Sequence, residues 1–137
     1  MNSNLKNIMK RFETMINTAD ENIAEELIAQ DAAFYTPASP EALYGPKGYL
    51  SIVHFMRSGF TDVQWNIKEM AEDGNKVAVL WDLTGTHDGE FMGVKPTGNK
   101  LNTTVMNFYY FNEDKKIVND VAAEGMIGIL RTIGLAK

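Results

Sequence analysis

The stretch Val63-Gln64-Trp65-Asn66-Ile67-Lys68-Glu69-Met70-Ala71-Glu72-Asp73-Gly74-Asn75-Lys76-Val77-Ala78-Val79-Leu80-Trp81 decides the fold. Val63, Trp65 and Ile67 alternate with Gln64, Asn66 and Lys68, the two-residue period of a strand that buries one face. Asp73-Gly74-Asn75 is a strong hairpin signal, because a two-residue turn needs positive φ angles that glycine and asparagine reach. A second strand follows over residues 77–87.

Toward the C-terminus the strand pattern continues. A loop containing Gly89, Gly93, Pro96 and Gly98 leads to a strand over 101–111, a turn at 112–115 and a further strand over 117–123. Met126, Ile127, Ile129, Leu130 and Ile133 then predict a short helix. Toward the N-terminus the period changes. Leu5, Ile8, Met9, Phe12, Met15 and Ile16 form one apolar stripe on a helix of about residues 3–18. Asp20 caps a second helix carrying Ile23, Ala24, Leu27 and Ile28. Residues 33–36 read as a short strand ended by Pro37, and 38–45 as a loop. Gly45-Pro46 opens a third helix holding Tyr49, Ile52, Val53, Phe55 and Met56, which stops near Gly59. Helices first and hairpin-linked strands afterwards predict an α+β fold, with N-terminal helices packed on a curved antiparallel sheet.

The chain has 137 residues and 45% hydrophobic content, which fits one domain over residues 1–137 with one core. Net charge is −5, and the 13 Lys and Arg are scattered, which excludes the clustered cations that nucleic acid requires. With no Cys, disulfides, thiolate metal sites and Cys nucleophiles are excluded. No apolar run suits a signal peptide or a membrane span, so a cytoplasmic protein with no membrane partner is expected.

Two strands carry the candidate chemistry. One face of 101–111 shows Thr103, Val105, Asn107 and Tyr109, and one face of 117–123 shows Val118, Asp120 and Ala122. A carboxylate in an apolar pocket has its pKa raised, which suits a general acid or base, so Asp120 is the candidate catalytic residue and Asn107 its neighbour. Trp65, Trp81, Phe34 and Tyr109 are candidate pocket walls, though large aromatics at strand spacing also serve as plain core. Histidine as a residue type can serve as acid or base, so His87 is a candidate ligand-binding residue, although its place beside a loop also suits a solvated side chain. His54 is expected at the edge of its helix. Two widely separated histidines give no metal-ligand spacing, and the glycines of Gly93-Val94-Lys95-Pro96-Thr97-Gly98 join two strands and do not open a helix as a phosphate loop would. The opposite faces show Thr104, Met106, Phe108 and Tyr110, and Ile117, Asn119, Val121 and Ala123. A sheet that is apolar on both faces is covered on both, and a homodimer is expected to supply the second cover.

The segment Gly85-Thr86-His87-Asp88-Gly89-Glu90-Phe91-Met92-Gly93-Val94-Lys95-Pro96-Thr97-Gly98, the stretch 73–81 before it, Gly45-Pro46-Lys47 and Gly128-Ile129-Leu130-Arg131-Thr132-Ile133-Gly134 resemble the SnoaL-like polyketide cyclase family, also called ester cyclases. The resemblance implies a cone-shaped α+β barrel of the nuclear-transport-factor-two-like type. It also implies intramolecular aldol chemistry on a small hydrophobic carbonyl compound, with no cofactor and no metal. Such cyclases use an Asp on the last strand as acid and base. Here that position holds Ala122; Asp120 stands where the family has a histidine, Asn107 matches a pocket histidine, and Val121 replaces a common Trp. The resemblance therefore implies a base shifted to Asp120, with Glu124 as a second substitute. The alternative is a non-catalytic protein that holds a hydrophobic ligand in the same cone. A third reading is a cone plugged by the eight methionines and the aromatics.

Overall fold

The computed structural model describes residues 5–36, 39–123 and 127–137. The expectations for Pro37, Glu124 and Met126 fall outside those residues. The elements are α1 (Leu5–Thr18), α2 (Glu21–Leu27), β1 (Ile28–Thr36), β2 (Ser39–Tyr44), α3 (Gly45–Gly59), β3 (Gln64–Asp73), β4 (Lys76–Thr86), β5 (Lys100–Phe111), β6 (Ile117–Ala123) and α4 (Ile127–Thr132). They form an α+β fold in which one six-stranded sheet, ordered β2-β1-β6-β5-β4-β3, carries the helices on one face. Among the described residues no helix is long and apolar enough to cross a membrane.

Three features depart from the sequence expectation. The sheet is mixed, because β1 lies parallel to β6 while every other pair is antiparallel. Parallel neighbours need a long crossover, and α3 with the β3–β5 meander supplies it. Strand β1 starts five residues before the expected position 33, at Ile28; Gln30 and Asp31 interrupt the apolar pattern and hide that start in the sequence. The register between β1 and β6 also shifts between Ile28 and Ala33. The expected loop at 38–45 contains strand β2, paired through Phe34↔Leu43 and Ala33↔Tyr44. Strand β2 is an edge strand of the sheet, a place where a proline such as Pro40 is tolerated.

Helix α1 buries Leu5, Met9, Phe12, Met15 and Ile16 against the sheet, as its stripe predicts. It also protects the opposite edge strand, β3. Asn17 Oδ1 accepts the Trp65 N–H at 2.8 Å, its Nδ2 donates to the Trp65 carbonyl at 2.8 Å, and Glu13 Oε2 accepts the Ile67 N–H at 2.6 Å. Backbone groups that an edge would leave open are thereby satisfied, and Trp65 is held in place. The Asp20 side chain caps α2 by accepting the Ile23 N–H at 3.0 Å.

The 85–98 segment locks the end of α3 to the end of β4. Asp62 accepts the Thr86 N–H at 2.7 Å and the Thr86 hydroxyl at 2.9 Å. Asp88 accepts the Thr61 N–H and its hydroxyl, while the N–H groups of Asp88 and Gly89 both donate to the Gly59 carbonyl at 3.1 Å. The approach is too close for side chains: a Cβ on Gly89 would lie 2.1 Å from the Ser58 carbonyl oxygen. Gly74 differs, with φ +62° and open space around it. Gly89→Ala is expected to lower unfolding free energy by about 2–4 kcal/mol, against about 1 kcal/mol for Gly74→Ala. Urea titration measures both; equal midpoints would contradict this role for Gly89.

Candidate active site

The residues of β5 and β6 that face the helices build the floor of a cavity. Tyr109 pairs with Asp120 and Asn107 with Ala122 across the ladder, so Asn107 and Asp120 are diagonal neighbours on one sheet face. The diagonal is bridged: Asn107 Nδ2 donates to Asp120 Oδ1 at 2.6 Å. The cavity measures about 160 Å³ and is lined by Phe34, Trp65, Trp81, Asn107, Tyr109 and Asp120, together with residues of α3, Ile129 of α4 and Ala122. That is smaller than the roughly 300 Å³ typical of drug-sized ligand sites. Phe12, Met9 and Met15 are all without solvent exposure and belong to the core beside it. A cavity of about 150 Å³ can take one benzene ring, so this one has room for a group of about that size.

Asp120 is half-buried, and its carboxyl group lies among aromatic and aliphatic walls. Desolvation pushes its pKa up to about 7, opposed by the Asn107 N–H, which favours the anion. Among the described residues no cation pairs with it; the ion pairs present are Arg11–Glu26 and Lys68–Asp82 on the surface. A lone carboxyl group at such a pKa exchanges its proton near neutrality and suits both donation and removal of a proton.

The Trp81 indole is buried and donates to the Tyr109 hydroxyl at 3.0 Å. Phe12 packs on both rings, at 6.3 Å from Trp81 and 5.2 Å from Tyr109. Burial pushes the Tyr109 and Tyr49 hydroxyls well above the ordinary tyrosine range, with the Asp120 charge adding to it.

The structure places His87 apart from the other candidate residues, and buried where a solvated side chain was the alternative. The imidazole has 0% exposure and lies outside the cavity lining. It sits at 5.3 Å from the Phe60 ring, with Nδ1 2.9 Å from Thr97 Oγ1 and accepting the Thr97 N–H at 3.3 Å. Because Nδ1 accepts, the proton belongs on Nε2, which has no partner among the described residues. His87 continues the inward phase of Val77, Val79, Trp81 and Leu83, one step past the cavity and under the 88–98 loop. Strand parity therefore buries it, and it props the loop. His54 is exposed on α3.

Sequence reasoning missed Tyr49. It lines the cavity from α3 beside Ile52, Val53 and Met56, where an amphipathic stripe reads as core. The available signal was a hydroxyl within an otherwise apolar stripe, since a buried tyrosine hydroxyl needs a partner.

The sequence profile of the SnoaL-like polyketide cyclase family matches residues 6–133. No curated protein matches the chain. Among solved structures the chain is similar to IdmH from Streptomyces antibioticus, with 24% identity and a TM-score of 0.79 over 96% of this chain and 99% of that one. It is similar to TsrD from Streptomyces laurentii, with 15% identity and a TM-score of 0.82 over 98% of each chain. A SnoaL-like polyketide cyclase from Agrobacterium tumefaciens gives 16% identity and a TM-score of 0.74 over 96% and 98%. These likenesses extend to the fold.

The buried Asp120 carries a stability signature. Its folded pKa is about 7 against an ordinary 3.8, so between those values the folded state holds more protons than the unfolded chain. This group's contribution therefore falls as pH rises through the window, by about 1.4 kcal/mol per unit. Asp120→Asn removes it. The stability of that variant relative to the parent should rise by roughly 2–3 kcal/mol between pH 5 and pH 8. Parallel denaturation profiles across that range would contradict the raised pKa.

Proposed function

We propose, from the premise that the chain belongs to the SnoaL-like polyketide cyclase family, that it performs cofactor-free acid/base chemistry of the aldol type on a small hydrophobic carbonyl compound bound in the cavity. The observation that carries this reading is the Asp120 carboxyl group, alone in an apolar cavity, bonded to Asn107 and pushed up to about 7. In the first step Asp120 as carboxylate takes a proton from the carbon next to a carbonyl. The C–H electron pair becomes a C=C bond, and the carbonyl oxygen becomes an enolate oxygen. The enolate carbon then attacks a second carbonyl of the same molecule, forming the C–C bond. The resulting alkoxide recovers the proton from Asp120. Asn107 orients the carboxyl group, and Trp65, Trp81, Phe34 and Tyr109 hold the ring and exclude water.

Ala122 lies directly opposite Asn107 in the ladder, while Asp120 lies two residues earlier on the same face, roughly 7 Å along the strand. The reacting carbon in this chain is therefore expected nearer the Tyr109 end of the cavity. The first half-reaction can be read without the natural substrate, as deuterium exchange at the α-carbon of 1-indanone followed by NMR. The expected rate rises with pH and levels off above about 7, because the base is the ionised form. Asp120→Asn should slow exchange at least about 100-fold. Exchange at the uncatalysed rate, alongside saturable binding of the ketone, would instead favour the non-catalytic ligand-binding reading.

The outer sheet face supports a second proposal, a homodimer. Met106, Phe108 and Val121 are 46%, 42% and 50% exposed, and the ladder sets Phe108 beside Val121 and Ala78. This apolar patch runs across three adjacent strands, and a two-fold contact would pair it with itself. Sedimentation velocity at micromolar concentration should show a dimer that Phe108→Glu converts to monomer. A parent chain that runs only as monomer would overturn the proposal.

A further inference from the structure

The cavity sets one carboxyl group among aromatic walls and supplies no positive charge to it. Among the described residues that line it there is no Lys, Arg or His. Asn107 Nδ2 donates to Asp120 Oδ1 at 2.6 Å, and among the described residues Oδ2 has no partner. One oxygen is thus fixed, and the other is left to accept from a molecule that enters.

Around the carboxyl group the walls are rings. Phe34, Tyr49, Trp65, Trp81 and Tyr109 all line the cavity. Tyr109 stands directly opposite Asp120 in the ladder, which puts their Cβ atoms about 4.5–5.5 Å apart. The rings hold one another: Phe34 meets Tyr49 at 5.0 Å and 73°, and Tyr109 meets Trp81 at 6.4 Å and 82°. The main chain of Trp65 is tied to the Asn17 side chain through both its N–H and its carbonyl.

Two electrostatic properties of this wall agree in sign. A carboxylate held in apolar surroundings without a counter-charge is disfavoured, and a cation beside it relieves that. An aromatic face is negative and attracts a cation as well. An anion is repelled by both, and a neutral molecule gains from neither. The net charge of −5 further favours the approach of cations.

We infer that the cavity is a binding site for small organic ammonium ions, whose N–H groups donate to Asp120 Oδ2 while the hydrocarbon body lies among the aromatic walls. The volume of about 160 Å³ limits that body to about one ring. The inference goes beyond the ketone chemistry above and does not depend on turnover. It makes an ammonium ion of that size a competitor of the ketone, because both need the Asp120 end of the cavity.

The test is calorimetric titration of the full chain with benzylamine, benzyl alcohol and benzoate, one body carrying a positive, a neutral and a negative head group. At pH 8 Asp120 is mainly ionised and benzylamine is protonated. Benzylammonium should then bind at least about tenfold tighter than benzyl alcohol, with benzoate the weakest. Its affinity should fall about tenfold from pH 8 to pH 6 as Asp120 takes up a proton, with benzyl alcohol unchanged. Asp120→Asn should weaken benzylammonium at least about tenfold and benzyl alcohol less than about twofold. If that variant does not fold, the pH dependence of the parent chain decides. No binding of benzylammonium, equal affinity for the three probes, or ammonium binding that neither pH nor Asp120→Asn changes overturns the inference. Benzylammonium binding that depends on Asp120, together with no ketone exchange, upholds it and counts against the base, so the two failures are separable.

Discussion

The rest of the site depends on one hydrogen bond under one constraint: Asn107 Nδ2 to Asp120 Oδ1 at 2.6 Å, in a largely apolar cavity wall. Burial alone would disfavour the charged carboxylate strongly; the amide donor partly offsets that and holds the group near the point where both protonation states are populated. An Arg or Lys in the donor's place would drive the group toward permanent ionisation. Asn therefore stabilises without adding charge. Because the bond is diagonal across β5 and β6, it needs the register set by the Asn112–Lys116 turn, where Asn112 accepts the N–H groups of Asp114 and Lys116.

Around this pair the fold separates scaffold from chemistry. The most recognisable part of the sequence, residues 85–98, holds no cavity-lining side chain. Its carboxylates and glycines join the end of α3 to the sheet, and its histidine props the loop from inside. That join matters to the site because α3 carries Tyr49, Ile52, Val53 and Met56 into the cavity. At the other edge Asn17 and Glu13 of α1 tie down β3 and with it Trp65. The 85–98 segment thus fixes the helices, while Asn107 and Asp120 sit in the cavity wall.

Much of this was legible because strand alternation needs no tertiary information. The period of residues 101–111 put Asn107 and Tyr109 on one face, and that of 117–123 put Asp120 on one, before any register was known. The hairpin at Asp73-Gly74-Asn75 and the Asp20 cap were equally local. What was illegible depends on partners distant in sequence. Strand β2 exists because β1 offers it an edge, and the polar Gln30-Asp31 hides the start of β1. His87 has the parity of a buried residue, but its loop-side position reads as solvent until Phe60 and Thr97 are brought over it. Tyr49 belongs to an amphipathic stripe whose core role and site role look alike in sequence. Its place in the cavity wall depends on α3 packing over the strands that carry Asn107 and Asp120.

The central claim is that Asp120 is an uncharged-to-charged switch held near neutrality by its cavity. Carboxyl-carbon NMR of Asp120, followed across pH in the full chain and assigned with Asp120→Asn, reads that directly. A midpoint at about 7, moving higher when Asn107→Ala removes the donor that favours the anion, is the expected result. A midpoint near the ordinary 3.8, unmoved by Asn107→Ala, would contradict it.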